Sequence, residues 1–406
     1  MNSPAITQPQ QVVEQLATIT GAEFIRTSDN DTITVLPTDT QQVSAVLAFA
    51  LNNRLTVAPL GGGTKQLWGR GKAPHIFLSL ARLNRVIEHP WQDLTCTVQA
   101  GCTWSSLQRT LAKHGQFVAL DPLFSDRATV GGILATNDSG ALRQRYGSLR
   151  DLVIGMTLVL PDGTIARTGG KVVKNVAGYD LCKLLTGSLG TLAVITEANF
   201  RLYPLPQYAR SFNVAAPHAS RLAPLLTAIR ASHLLTQSLQ LRRNQDEAHL
   251  DICLNAHPEA HQDIILAQMT QHEGLTLKEI SDDVWCRRES LFAAEATVLR
   301  ISTLPAQVCA FVDQLQLAQP DVQTVSISQA IGLHDVALCG SPDAITAVIR
   351  QLRADTQITV AILQSSQNVS VPPFAIDAPV LSLMQAVKHN FDPDGILSPG
   401  KFFVGA

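Results

Sequence analysis

The chain has 406 residues, 46% hydrophobic and 16% charged, with a formal net charge of −2. This is a globular composition long enough for more than one core, at about 150 residues per domain, and no basic or acidic block points to nucleic acid as a partner. Seven cysteines, an odd number and none spaced C-x-x-C, argue against a disulfide framework, a structural zinc or an iron–sulfur site. The longest apolar runs, such as "LVIGMTLVL", are far shorter than the ~20 residues of a membrane span.

In chain order, the start "MNSPAITQPQQVVEQL" lacks a basic segment followed by an apolar run, so no secretory signal is read and a cytoplasmic location is expected. "TITVLP" reads as a strand ending on Pro37. "TDTQQVSAVLAFALNN" reads as a helix with Thr38 as N-cap, Gln41 three residues on, and Val43, Val46, Leu47 and Ala50 at helical spacing. "LTVAP" is a strand that runs into "LGGGTKQLWGRG". "DLTCTVQAG" is a strand, and "TWSSLQRTLAKHG" a helix ending on Gly115. "DLVIGMTLVLPDGTIART" reads as a hairpin turning at Pro161-Asp162-Gly163. "YDLCKLLTG" is a short helix, and "TLAVITEANFRLYPLP" a long strand closed by Pro204 and Pro206. Beyond these prolines the glycine loops disappear. A strand–helix–strand–strand–helix order begins at "SFNVAA" and recurs from "ATVLRIST", as one or two ferredoxin-like units would. The tail "APVLSLMQAVKHNFDPDGILSPGKFF" is a helix and a proline- and glycine-rich return. The expected domains are 1–27, an N-terminal helical segment; 28–206, a cofactor domain; 207–370, an α+β substrate or cap domain; and 371–406, a helix and tail packing back on the cofactor domain.

Three glycine-rich clusters carry the chemistry. Lys65 follows Thr64, and Lys72 precedes Ala73, so neither makes a P-loop. "GGGTKQLWG" opens no long helix, so the dinucleotide fingerprint of a Rossmann fold also fails. What remains is a strand ending in consecutive glycines, whose N–H groups can turn toward one anion. The alternative is a plain glycine-rich turn. The second cluster, Asp121 to Gly140, surrounds Gly131-Gly132 with short polar side chains, and Tyr146 follows in "RYGSLRD". The third is "KNVAGYDLCKLLTGSLGTLAVITEANF", whose strand "LAVIT" offers backbone for edge-binding a base.

With its strand-end "GGGT", its "ATVGG…N.SG…RYG..RD" block and its "KN.AGYDL.KL..GS.GTL..IT" block, the chain resembles the FAD-binding family of the vanillyl-alcohol oxidase / p-cresol methylhydroxylase type, and within it the FAD-binding subunits of bacterial glycolate oxidases. The resemblance is dense from Thr32 to Pro206 and returns at "FDPDGILSPGKFF". It implies an α+β chain: a two-subdomain FAD-binding fold of p-cresol methylhydroxylase type, then a ferredoxin-like α+β domain. It places Pro59, Gly61, Gly62, Gly63, Thr64 and Lys65 at a first pyrophosphate loop. Thr129, Val130, Gly131 and Gly132 fall at a second, closed by Asn137, Ser139 and Gly140, approached by Asp121 and Pro122 and followed by Tyr146. Gly190, Val194 and Ile195 fall toward the adenine end, and Lys174, Asn175 and Tyr179 beside the flavin ring.

Two departures shape the expectations. Members with covalent flavin carry a histidine or cysteine ligand. The first loop here has none, and Cys102 and Cys182 read as buried thiols, so FAD is expected to be non-covalent. The histidine-rich metal motif of the family's 2-hydroxyacid dehydrogenases is also missing. His257 and His261 are four apart without a third ligand, so no metal is expected. Oxidation of a 2-hydroxyacid needs a cation for the carboxylate and a base for the hydroxyl proton. The cation candidates are Arg242, Arg243, Arg287, Arg288 and, mid-strand, Arg300, with Tyr179 the other weak catalytic candidate. The resemblance implies an FAD-binding subunit of a glycolate (2-hydroxyacid) oxidase, working with a second FAD-binding subunit and an iron–sulfur subunit, its complex at most peripheral at the inner membrane. The alternatives are a flavin-carrying structural subunit without chemistry, and a stand-alone flavin oxidase of another alcohol or sugar acid.

Overall fold

The computed structural model describes residues 9–28, 32–170, 180–317, 321–365 and 369–402. The chain divides into two compact units. The first comprises 1–138, 148–205 and 376–406, and the second 139–147 and 206–375.

Among the described residues, the first unit holds two larger sheets besides a short two-stranded pair of Gln116–Phe117 with Tyr203–Pro204. One is four-stranded, in the order Ile25–Thr27, Ile33–Val35, Ile76–Ser79, Val57–Leu60. Its first pair is antiparallel and the others parallel. The alternation of Ile33 and Val35 puts both in the core. Helix Thr40–Asn52 lays Val43, Val46, Leu47 and Ala50 into the same core, as their spacing requires. Its cap sits one residue later than the sequence reading placed it. Asp39, not Thr38, accepts the Gln42 N–H at 2.8 Å, while the Gln42 side chain reaches back to the Thr38 N–H. The second sheet is antiparallel, in the order Val86–Glu88, Thr95–Gln99, Val194–Arg201, Val153–Val159, Ile165–Gly169. Its last two strands are the hairpin turned at Pro161-Asp162-Gly163, where Gly163 takes φ +88°. One apolar cluster runs through the unit and includes Leu16, Phe200 and, from the tail, Ile396 and Leu397.

The second unit is one eight-stranded antiparallel sheet. Its order is Leu277–Ile280, Ala209–Ala216, Ala248–Asn255, Thr236–Arg243, Gln323–Gln329, Leu333–Cys339, Thr297–Ser302, Thr359–Gln364. Each four-stranded half is threaded β-α-β-β-α-β, and the halves join where Thr236–Arg243 pairs with Gln323–Gln329. Side chains alternate across the sheet. Leu239, Leu241, Leu250 and Ile252 meet helices Ala223–Ala231 and Gln262–His272 in one core. Leu299, Ile301, Val336 and Leu338 meet helix Pro342–Ala354 in another. The residues between them carry the opposite face: Gln240, Arg242, Asp251, Arg300 and Asp335.

Candidate functional site

The cleft that concerns function opens where strand Val57–Leu60 ends and the glycine loop begins. Parallel pairing to Ile76–Ser79 fixes the strand's end. The three loop glycines then play different parts. A Cβ on Gly61 would strike the Thr129 hydroxyl, and one on Gly62 the Arg127 carbonyl, so these two let the loop pack directly on 127–129. Gly63 is open, with φ +71° and only Leu60 Cδ1 within reach at 3.9 Å, the left-handed turn that glycine tolerates. Pro59, Gly61, Gly62, Gly63, Thr64 and Lys65 all line the cleft. So do Thr129 and Gly132 from the second cluster, and Leu189, Ser398 and Lys401.

Thr129 stands at the N-cap of helix Val130–Thr136, yet its hydroxyl makes no capping bond. It is 4% exposed, and its Oγ1 has no hydrogen-bond partner. The Asn137 Oδ1 is likewise buried and unpartnered, on a residue held at φ 49°. A buried oxygen left unpaired costs about 1–3 kcal/mol, so the Thr129 hydroxyl, which lines the glycine cradle, suits a bound polar group. The N–H groups of Val130 and Gly131 donate to the carbonyls of Cys102 and Ala100. A Cβ on Gly131 would meet Ala100 Cβ at 2.9 Å. Val130 and Gly131 therefore hold the loop in place, while Thr129 and Gly132 face the cleft.

Lys65 is buried and ion-paired with Asp138 at 3.1 Å, and its ammonium also donates to the Leu123 carbonyl at 3.3 Å. Asp138, fully buried, accepts the Leu123 N–H at 2.7 Å. This pairing pins the segment beginning Asp121-Pro122 to the loop. Gly190 takes φ +70° and its carbonyl accepts the Ser398 hydroxyl at 3.0 Å. Val194 and Ile195 are buried in the central strand of the five-stranded sheet rather than on an edge. Only the start of that strand extends past its Thr95–Gln99 neighbour, whose register begins at Glu197. Ser139, Gly140 and Tyr146 belong to the segment 139–147 of the second unit. There the Ser139 carbonyl accepts from Arg288 and, at 3.0 Å, from Gln329. Lys174, Asn175 and Tyr179 lie outside the described residues.

Cys102 and Cys182 are buried, and burial pushes the Cys182 thiol up to about 11, which keeps it from acting as a nucleophile near neutrality. Among the described residues, no three His, Cys, Asp or Glu side chains gather as a metal set. The arginine candidates divide clearly. Arg300 forms a bidentate pair with Asp335, at 2.9 and 3.2 Å, directly across the strand register. Arg242 pairs in the same way with Asp251. Arg288 lies 3.7 Å from Asp335, Arg243 donates to the Pro217 carbonyl, and Arg287 is exposed.

Sequence signals missed Ser398, Lys401 and Leu189. All three reach the cleft through tertiary contacts, and only the tail motif "SPGK" hinted at two of them.

With this geometry in hand, comparison with known proteins is specific. Residues 32–169 match the model of an FAD binding domain. The glycolate oxidase subunit GlcD of Bacillus subtilis (strain 168) is 33% identical over 207 residues, 51% of this chain but only 44% of that relative, so the chain spans less than half of it. The D-2-hydroxyglutarate dehydrogenase of Xanthomonas citri pv. viticola is 28% identical over 464 residues, covering 99% of this chain and 98% of the relative. In fold, the chain matches 4-ethylphenol oxidase from Gulosibacter chungangensis with TM-score 0.76 at 14% identity, covering 99% of this chain and 98% of that one. The glycine cradle and the unpartnered Thr129 hydroxyl fit a dinucleotide, and residues 32–169 of the chain carry an FAD binding domain.

Proposed function

We propose that this chain is an FAD-dependent oxidoreductase subunit acting on the CH–OH group of a small 2-hydroxyacid, with non-covalent flavin, and passing electrons to an iron–sulfur partner. The observation that supports it most is the cleft itself: glycine backbone, an unpartnered threonine hydroxyl and two lysines on a domain matched as FAD-binding. Relatives named for glycolate, D-lactate and D-2-hydroxyglutarate supply the substrate class. FAD, when bound, supplies two-electron oxidation chemistry, and the protein supplies binding, orientation and exclusion of water. Gly63, Thr64, Thr129 and Gly132 would hold the pyrophosphate, with Asn137 an additional donor or acceptor for the cofactor. A second FAD-binding subunit, named by the resemblance, would complete the assembly, and a cytoplasmic place beside the membrane follows from it. Among the described residues no helix is long and apolar enough to cross a membrane.

One observation favours a second reading, a flavin-carrying subunit without chemistry of its own. Arg300 and Arg242, the natural anchors for a substrate carboxylate, are each already engaged bidentately by an aspartate. The two readings separate on anaerobic addition of glycolate, D-lactate or D-2-hydroxyglutarate to the purified yellow protein. Bleaching of the flavin in the isolated chain establishes its own catalysis. Bleaching only in the complex co-purified with its partners removes catalysis by the isolated chain. No bleaching by any of the three in either preparation overturns the substrate class.

A further inference from the structure

The C-terminal segment is tied into the cofactor cleft from both ends. The Val57 N–H donates to the Ile396 carbonyl at 2.7 Å, and the Ser398 N–H to the Val57 carbonyl at 2.8 Å, extending the strand that leads into the glycine loop. Asp392, 2% exposed, accepts the N–H groups of Ile396 and Leu397 at 3.0 and 2.8 Å. Lys388 bonds Asp392 and the carbonyls of Thr191 and Leu397. Beyond this anchor the Lys401 side chain crosses the loop. Its ammonium donates to the carbonyls of Gln66 at 2.6 Å and Trp68 at 2.9 Å. Gly71, at φ +123°, makes room for its stem: a Cβ there would lie 3.3 Å from Lys401 Cδ.

We propose that Lys401 is the cation that receives the pyrophosphate of the dinucleotide, and that segment 396–401 is a strap that retains it. This rests on the FAD reading above. Among the described residues, the cleft is lined by two lysines and no carboxylate side chain. Lys65 is balanced by Asp138. Among the described residues, the Lys401 ammonium bonds only to carbonyl oxygens, which orient it without cancelling its charge and use two of its three N–H donors. Burial draws its pKa down to about 8 with no anion compensating, the state of a buried cation whose counter-charge has yet to arrive. Ser398 beside it holds a left-handed φ of 44°, strain that a ligand-shaped segment retains.

The test is equilibrium FAD binding to apoprotein, read by flavin fluorescence, for wild type, Lys401→Gln, Lys401→Met and Lys401→Arg, with the melting temperature of each apoprotein in parallel. The glutamine keeps a donor for the carbonyls and removes the charge, so it reports even where the methionine variant folds poorly. The expected result is an affinity loss of about 10- to 100-fold for glutamine and methionine, a loss of a few-fold at most for arginine, and a shallower salt dependence without the charge. Wild-type affinity in the glutamine variant, or an equal loss in glutamine and arginine, overturns the proposal. If wild type itself takes up no FAD, the FAD reading fails, a result separable from failure at Lys401.

Discussion

The cleft of the first unit and the charged face of the second use buried cations in opposite ways. In the second unit each guanidinium on the sheet face has its carboxylate: Arg242 has Asp251, and Arg300 has Asp335 one strand away. In the cleft, Lys401 rests on two carbonyls, and the Thr129 hydroxyl has no partner. A buried charge with a partner holds a fold together, and removing one member leaves the other uncompensated. A buried polar group without one is an expense that a ligand can offset. The contrast separates what the second unit does for its own sheet from what the first keeps for a cofactor.

The contrast can be broken from both sides. The largest effect is expected at Gly62, where any side chain meets the Arg127 backbone. Gly62→Val should cost more than about 4 kcal/mol and lose FAD together with the fold, seen as a collapsed melting temperature of the apoprotein. A Cβ at Gly132 meets only the Thr129 hydroxyl, at 3.3 Å, and Gly132→Leu should abolish FAD uptake with little change in apoprotein melting. Equal melting losses in the two variants would refute the distinct roles of these glycines.

On the charged face, Asp335→Asn should destabilise by about 3–5 kcal/mol by removing the carboxylate that both Arg300 and Arg288 face. The double change Asp335→Leu/Arg300→Met should recover much of that loss in urea unfolding. If the double change is no better than the single, the Arg300–Asp335 pair does not hold this sheet face together.

The neighbouring His334 gives a pH test. It is fully buried, between Ser328 and Thr303, and burial lowers its pKa from 6.5 to about 4. The neutral imidazole is the folded form, so the unfolded chain binds the extra proton. Stability should fall as pH drops below about 6.5 and stop falling from this source near pH 4, a loss on the order of 3 kcal/mol. A His334→Gln variant should flatten that part of the profile, and an unchanged slope would remove the assignment.

The smallest effect has the most informative sign. Thr129→Val removes an unpartnered hydroxyl, so the apoprotein should become more stable by about 1 kcal/mol while FAD affinity falls about 5- to 30-fold. A loss of both would make Thr129 a structural residue.

Much of the first unit was legible because its signals are local. The helix Thr40–Asn52 follows from the spacing of Val43, Val46, Leu47 and Ala50, the hairpin from Pro161-Asp162-Gly163, and the loop from a strand ending in glycines. What escaped depends on distant partners. Gly61 and Gly62 are glycine because residues 127–129 press against them, and Gly131 because Ala100 does, so a sequence cannot tell a packing glycine from a cofactor-facing one. The mid-strand Arg300 attracted a catalytic reading because its balancing charge, Asp335, lies on another strand, fixed by register alone. Lys401 lies 335 residues from the loop whose Gln66 carbonyl it binds.

The central claim is that the first unit carries a cofactor cleft for FAD. It is tested most directly by titrating FAD into apoprotein of wild type and Gly132→Leu. The account predicts saturable uptake of about one FAD per chain by wild type, by analogy with single-site linkage, and none by the variant, with both proteins equally folded by circular dichroism. Absence of saturable uptake by folded wild-type protein, or normal uptake by the variant, would contradict it.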